Sequence, residues 1–193
     1  MRRIVGVLLG IGLVYGALYL FFREPVRTLP VDPALEARTE ARTSQIPGAG
    51  LGLFAKVRIE KGDVIGHYGG RLKKGPDVKD SSYVVLLEKC AMETLAPYRY
   101  VDGSEFGGQV TRINFAPRLV NGVETGFQNA AIDTICEPPF VLFRAIADIP
   151  AGAEIFSSYG QKYHYDFMAF PTVQGWFCQA AKVDCTKGFS FEP

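Results

Sequence analysis

The sequence predicts a mostly β domain built of many short strands, preceded by a single apolar helix. Three observations predict it. Nineteen residues from Ile4 to Phe22 carry no charge and no strongly polar side chain. From Ser44 onward, short apolar runs rich in Val, Ile and aromatics alternate with Gly and Pro. No stretch of that second region keeps a long helical period.

The run Ile4–Phe22 follows Arg2 and Arg3. As a helix it would be roughly 28 Å long, close to the hydrocarbon thickness of a bilayer. It reads as a single-pass membrane anchor. A cleaved signal peptide or a buried helix is the alternative, although a signal peptide's apolar core is normally shorter. Arg2 and Arg3 on one side balance Arg23 and Arg27 on the other, so the positive charges leave orientation undecided. Next, Asp32-Pro33 offers an N-cap followed by proline at the first helical position. The Ala-, Glu- and Arg-rich stretch 34–42 continues it as a short polar helix. The expected organisation is an anchor and flank at 1–27, a linker at 28–43, a β domain at 44–165 and a C-terminal tail at 166–193.

Within the β domain the expected strands are Val57-Arg58-Ile59, Val64 to Tyr68, Tyr83 to Leu87 and Phe140 to Phe143. The turns Ile59-Glu60-Lys61-Gly62 and Ile149-Pro150-Ala151-Gly152 look alike, each launching a strand. From Gln161 onward Tyr163, Tyr165, Phe167, Phe170, Trp176 and Phe177 recur, suggesting a helix and tail that pack back on the domain.

Charge and cysteines narrow the function classes. Segment 1–22 holds two Arg and no acid, so the rest carries 19 basic against 20 acidic residues. That balance argues against direct nucleic-acid binding, which needs a basic patch. Cys90, Cys136, Cys178 and Cys185 lie far apart, without the close pairs that zinc sites draw on. They read as buried free thiols, with a Cys178–Cys185 disulfide open if this part lies outside the cytosol. No metal site is expected. His67 and His164 have no spacing that suggests one.

Three segments carry a resemblance. The first is Ser44-Gln45-Ile46-Pro47-Gly48-Ala49-Gly50-Leu51-Gly52-Leu53-Phe54-Ala55, with Lys61-Gly62-Asp63 and Tyr68-Gly69-Gly70 behind it. The second is Gly107 to Ala116, preceded by Tyr100-Val101-Asp102. The third runs from Phe140 through Gly152-Ala153-Glu154-Ile155 to Ser158-Tyr159-Gly160. In this order the chain resembles SET-domain protein-lysine methyltransferases over about residues 44–165. The likeness departs at the second motif, where Phe115-Ala116 stands in place of His-Ser, somewhat as in PR-domain relatives.

The resemblance implies a β-clip fold whose final segment threads through a loop as a pseudoknot. It also implies an S-adenosyl-L-methionine cofactor, a protein substrate presenting a lysine, and a tail of post-SET type that lacks the zinc-binding cysteines. Ala49, Gly50, Leu51, Gly52, Asn114 and Phe115 would contact the cofactor, with Trp176 the residue expected to stack over it. Tyr159 would be the catalytic tyrosine, also touching the cofactor. Tyr68 and Tyr83 are candidate walls of the lysine channel, each equally readable as core.

A tyrosine suits that chemistry. A free lysine of pKa near 10.4 is almost entirely charged at pH 7, and a narrow apolar channel disfavours the ammonium. Aromatic walls and a phenol oxygen then orient the amine. Cofactor supply favours a catalytic domain facing the cytosol. The competing reading is a weak or inactive SET-like protein-binding module tethered to a membrane; a third is a structural β domain without cofactor.

Overall fold

The computed structural model describes residues 27–75, 81–161 and 163–193. The anchor expected at residues 4–22 lies outside them. Among the described residues no helix is long and apolar enough to cross a membrane.

Short strands dominate. Strands β1 (Thr28–Leu29), β2 (Thr39–Thr43), β3 (Leu51–Ala55), β4 (Val64–His67) and β5 (Gly70–Lys73) come first, with helix α1 (Pro33–Glu36) between β1 and β2. Strand β6 (Val84–Leu86), helix α2 (Lys89–Thr94) and strand β7 (Tyr100–Asp102) follow. Then come β8 (Asn114–Phe115), β9 (Leu119–Val120), β10 (Val123–Glu124), β11 (Ala130–Thr134), β12 (Val141–Ala145) and β13 (Glu154–Ser157). Helix α3 (Pro171–Ala181) and strand β14 (Phe191–Glu192) close the chain.

The strands form small sheets in the orders β1-β5-β7-β6, β11-β12-β4, β2-β3-β13-β8 and β10-β9-β14. The twin turns face one another. Ile59 and Ile149 exchange backbone hydrogen bonds of 3.0 and 2.8 Å, and both side chains are fully buried. Gly62 and Gly152 turn the chain just after them at φ of 95° and 84°, where a side chain would be strained.

The stretch expected as a helical linker is different. Asp32 caps α1 through a 2.8 Å bond from the Ala34 amide, as the sequence suggests, but the helix ends at Glu36. Residues 39–43 instead pair along the whole of β3, and Thr28–Leu29 pairs with β5. Pairing with β3 and the burial of Thr39 outweigh the helix propensity of Ala, Glu and Arg, which is only a local preference.

Two apolar clusters result. One lies among the β sheets around Leu53, Ile59, Val101 and Ile155. The other joins Phe115, Val120, Phe156 and Met168 to Val173 and Phe177 of α3. The tail is locked onto this second cluster. Asn121, at φ 47° in the β9–β10 turn, donates to the carbonyls of Asp184 and Gly188 at 3.2 and 3.0 Å and accepts from the Ser190 amide at 2.7 Å. Strand β14 pairs with β9.

The cysteines are not free thiols. Cys90–Cys136 and Cys178–Cys185 are disulfides, with Cα atoms 5.2 and 6.1 Å apart. Folding brings α2 against the end of β11, and the chain reversal after α3 returns Cys185 to Cys178. The second pairing is the one the sequence leaves open; the first, across 46 residues, is not signalled by spacing.

Candidate functional site

Strand β13 organises the site. It pairs antiparallel with β3 and parallel with β8, so the glycine turn before β3 and Asn114 of β8 converge on it. Asn129 brackets the strand further, donating to the Glu154 carbonyl and accepting from the Phe156 amide, both at 2.9 Å. Beyond the end of β13, Tyr159 reaches back, and its hydroxyl donates to the Ile113 carbonyl at 3.0 Å.

Two adjoining cavities meet at Tyr159. One, of about 380 Å³, is lined by Ile46 to Ala49, Asn114, Phe115, Tyr159, Tyr163, Phe167, Phe170, Thr172 and Val173. The other, of about 430 Å³, is walled by Ala49, Leu51, Tyr68, Tyr83, Ile132, Phe143, Asn114, Tyr159 and Tyr163 among others. Ala49, Asn114, Tyr159 and Tyr163 belong to both. The geometry is that of two chambers sharing one wall of tyrosines.

In the smaller chamber, Phe115 is 1% exposed and packs with ring centroids 5.9 Å from Tyr159, 4.4 Å from Tyr165 and 5.8 Å from Phe167. Phe170 stands 60% exposed at the rim. Gly48 and Gly50, at φ 79° and 73°, shape the 46–50 turn, and the Ser44 amide donates to the Gly50 carbonyl at 2.9 Å. Gly52 is needed for another reason: a Cβ there would overlap the Glu154 carboxylate.

In the larger chamber, Tyr68 is 5% exposed and its hydroxyl donates to the Tyr83 carbonyl at 2.8 Å. Burial, reinforced by the Asp102 charge, raises its pKa well above the ordinary tyrosine value. Tyr159 shifts the same way, chiefly by burial of its phenol and then by neighbouring Tyr163, with the backbone at Phe115 opposing. Both hydroxyls stay protonated at any physiological pH. Tyr159 is therefore an orienting and polar group, not a proton acceptor.

Most residues expected from the sequence line these chambers: Ala49, Leu51, Asn114, Phe115, Tyr159, Tyr68 and Tyr83. Gly50 shapes the turn and Gly52 makes room for the Glu154 carboxylate, neither lining a chamber. Trp176 lies elsewhere. It packs against Phe127 and Phe177, at 6.0 and 4.9 Å between ring centroids, because the face of α3 turned toward the smaller chamber carries Thr172 and Val173. Phe167 and Phe170 take the place expected of Trp176. Ser44 and Glu154 went unassigned in the sequence, although both fall within the motif stretches; only their position beside Asn114 gives them a role.

The chamber fits a ligand with one flat apolar end and one polar end. Aromatic carbons of Phe115, Phe167 and Phe170 suit a purine, and the Asn114 amide with the backbone of 47–49 suits an amino-acid end. Among the described residues no cluster of His, Cys, Asp and Glu is arranged to hold a metal ion.

Comparison with known proteins agrees in kind. Residues 50–160 match the SET domain family. The histone-lysine N-methyltransferase MECOM of Mus musculus is 31% identical over 132 residues, which make up 66% of this chain and 9% of MECOM. A humanized mutant of the Chaetomium thermophilum Polycomb Repressive Complex 2, bound to the inhibitor GSK126, superimposes with a TM-score of 0.50 at 27% identity. That match covers 65% of this chain and 15% of the other. An apo form of the same complex, substituted at two positions in Ezh2, gives a TM-score of 0.50 at 28% identity, again over 65% and 15%.

Proposed function

The chain belongs to the SET domain family, and on that premise we propose that it is an S-adenosyl-L-methionine-dependent protein-lysine N-methyltransferase with Tyr159 as its catalytic tyrosine. One observation supports this most: Tyr159 stands in the wall shared by an aromatic, purine-sized chamber and a tyrosine-lined channel. The cofactor supplies an electrophilic methyl group on a sulfonium.

The chain's own residues do the rest. Phe115, Phe167 and Phe170 exclude water from the cofactor chamber. Asn114 and the 46–50 turn fix the polar end. Tyr68, Tyr83 and Phe143 wall the channel and destabilise an ammonium within it, so that the substrate lysine leaves its proton with bulk water as it enters. Tyr159 directs its hydroxyl hydrogen at Ile113, which leaves the oxygen's lone pairs to accept from the neutral amine and hold it in line. The test is methyl transfer to protein from labelled cofactor, lost in Tyr159→Phe.

The membrane tether at residues 4–22 is part of the same proposal. Its orientation is set by two opposed arguments. Cofactor supply favours the cytosolic face, whereas two disulfides favour an oxidising compartment, because cytosolic thiols are kept reduced. Protease protection in sealed vesicles decides between them. A digested domain places it on the cytosolic side, and a protected one places it in the lumen.

A further inference from the structure

Glu154 is a 3%-exposed carboxylate with no cation within ion-pair distance among the described residues. It sits at the start of β13, and its partners all belong to the cofactor side of the site. The Ser44 hydroxyl donates to Oε1 at 2.7 Å, and the Gln45 amide donates to Oε2 at 2.8 Å. The Asn114 amide nitrogen donates to Oε1 at 3.3 Å and to the Leu51 carbonyl at 3.2 Å. Gly52 provides the space the carboxylate occupies.

A carboxylate only accepts hydrogen bonds, whereas the Asn114 side chain has one donating and one accepting end. Two acceptors, Glu154 Oε1 and Leu51 O, therefore claim both amide hydrogens and fix which way the amide is turned. Its Oδ1 is left as the end that meets a ligand, an acceptor suited to an ammonium group. The geometry points to Glu154 as a positioning residue. It sets the orientation of Asn114 and pins the 44–52 turn, so that the site selects ligands carrying the amino-acid end of S-adenosyl-L-methionine.

The inference rests on the cofactor reading above and goes beyond it by naming what builds selectivity. Glu154→Gln keeps the size but makes one end a donor. Either the Gln45 amide then meets that donor, or Asn114 loses the acceptor that orients it. Both outcomes disturb the polar end alone. The aromatic end, formed by Phe115, Phe167 and Phe170, shares no hydrogen bond with the Glu154 carboxylate among the described residues.

The experiment compares two probes on the 193-residue chain by titration calorimetry: S-adenosyl-L-methionine, and 5′-methylthioadenosine, which lacks the amino-acid end. In Glu154→Gln the first probe is expected to bind about tenfold more weakly, the loss of roughly one charge-assisted hydrogen bond. The second is expected to keep its wild-type affinity within a factor of two. Ser44→Ala, which removes one donor from a half-buried position, shows the same selective pattern at about threefold and serves if the first variant does not fold.

Equal weakening of both probes would make Glu154 merely structural and overturn the inference. Unchanged affinity for both in the two variants would overturn it as well. Wild-type protein that binds neither probe would instead overturn the cofactor reading, and this inference with it.

Discussion

Phe115 lies at the centre of an aromatic cluster, and its truncation separates the roles of that cluster from those of the rim. Phe115 is 1% exposed, and four rings surround it with centroids 4.4 to 6.0 Å away, from Tyr159, Tyr165, Phe167 and Phe191. Burying a Phe and then deleting it costs about 3–5 kcal/mol. Four rings at favourable separations place Phe115→Ala near the top of that range, about 4–5 kcal/mol, or a fall of ~10–20 °C in Tm for a chain of this size.

Phe170, 60% exposed at the rim, is the control. Phe170→Ala should change stability by less than about 0.5 kcal/mol yet weaken S-adenosyl-L-methionine binding about fivefold, the loss of one stacking face. Urea unfolding followed by Trp176 fluorescence reads the first effect. Trp176 is the chain's single Trp and packs on Phe177 of the same cluster. The reasoning fails if Phe115→Ala costs less than about 2 kcal/mol, or if Phe170→Ala is as destabilising as Phe115→Ala.

The remaining expectations concern the disulfides and two tyrosines, Tyr68 and Tyr159. Cys90–Cys136 closes a loop with a sequence separation of 46, against 7 for Cys178–Cys185. Replacing the first pair by Ser should therefore destabilise by about 1.5 kcal/mol more than replacing the second, as measured by denaturant midpoints; the reverse order would refute the loop argument. Tyr68 and Tyr159 have folded-state pKa values raised above the ordinary 10.0. Above about pH 10 the unfolded chain releases their protons while the folded one retains them, so stability should fall as pH rises through that region. Removing both hydroxyls as Phe should flatten the fall; an unchanged slope would mean that folding does not raise the two phenol pKa values. Below pH 9 the rate of methyl transfer should show no inflection from Tyr159, and a limb that vanishes in Tyr159→Phe would contradict its neutral role.

Much of the site was legible because its motifs are local. The 46–50 turn depends on glycines at fixed offsets, and the twin turns at Ile59 and Ile149 carry the same pattern of Ile, two turn residues and Gly before each strand. Residues 39–43 misled because helix propensity is only a local preference, whereas their strand pairing with β3 is imposed from outside. The disulfides and Trp176 depend on tertiary placement. Cys90 and Cys136 meet only after α2 docks, and which face of α3 looks at the chamber is set by the burial of Val173, Phe177 and Cys178 together. Glu154 was hidden for a related reason: its partners at 44, 45 and 114 are distant in sequence and gather only when β13 lies between β3 and β8.

The most direct test of the central claim is transfer of labelled methyl from S-adenosyl-L-methionine to a mixed protein extract, with wild-type chain and Tyr159→Phe side by side. Labelled protein bands with the wild type, reduced about a hundredfold by the substitution, are the result the account predicts. Equal labelling by the two proteins, or none by a wild type shown to bind the cofactor and offered a broad extract, would contradict it.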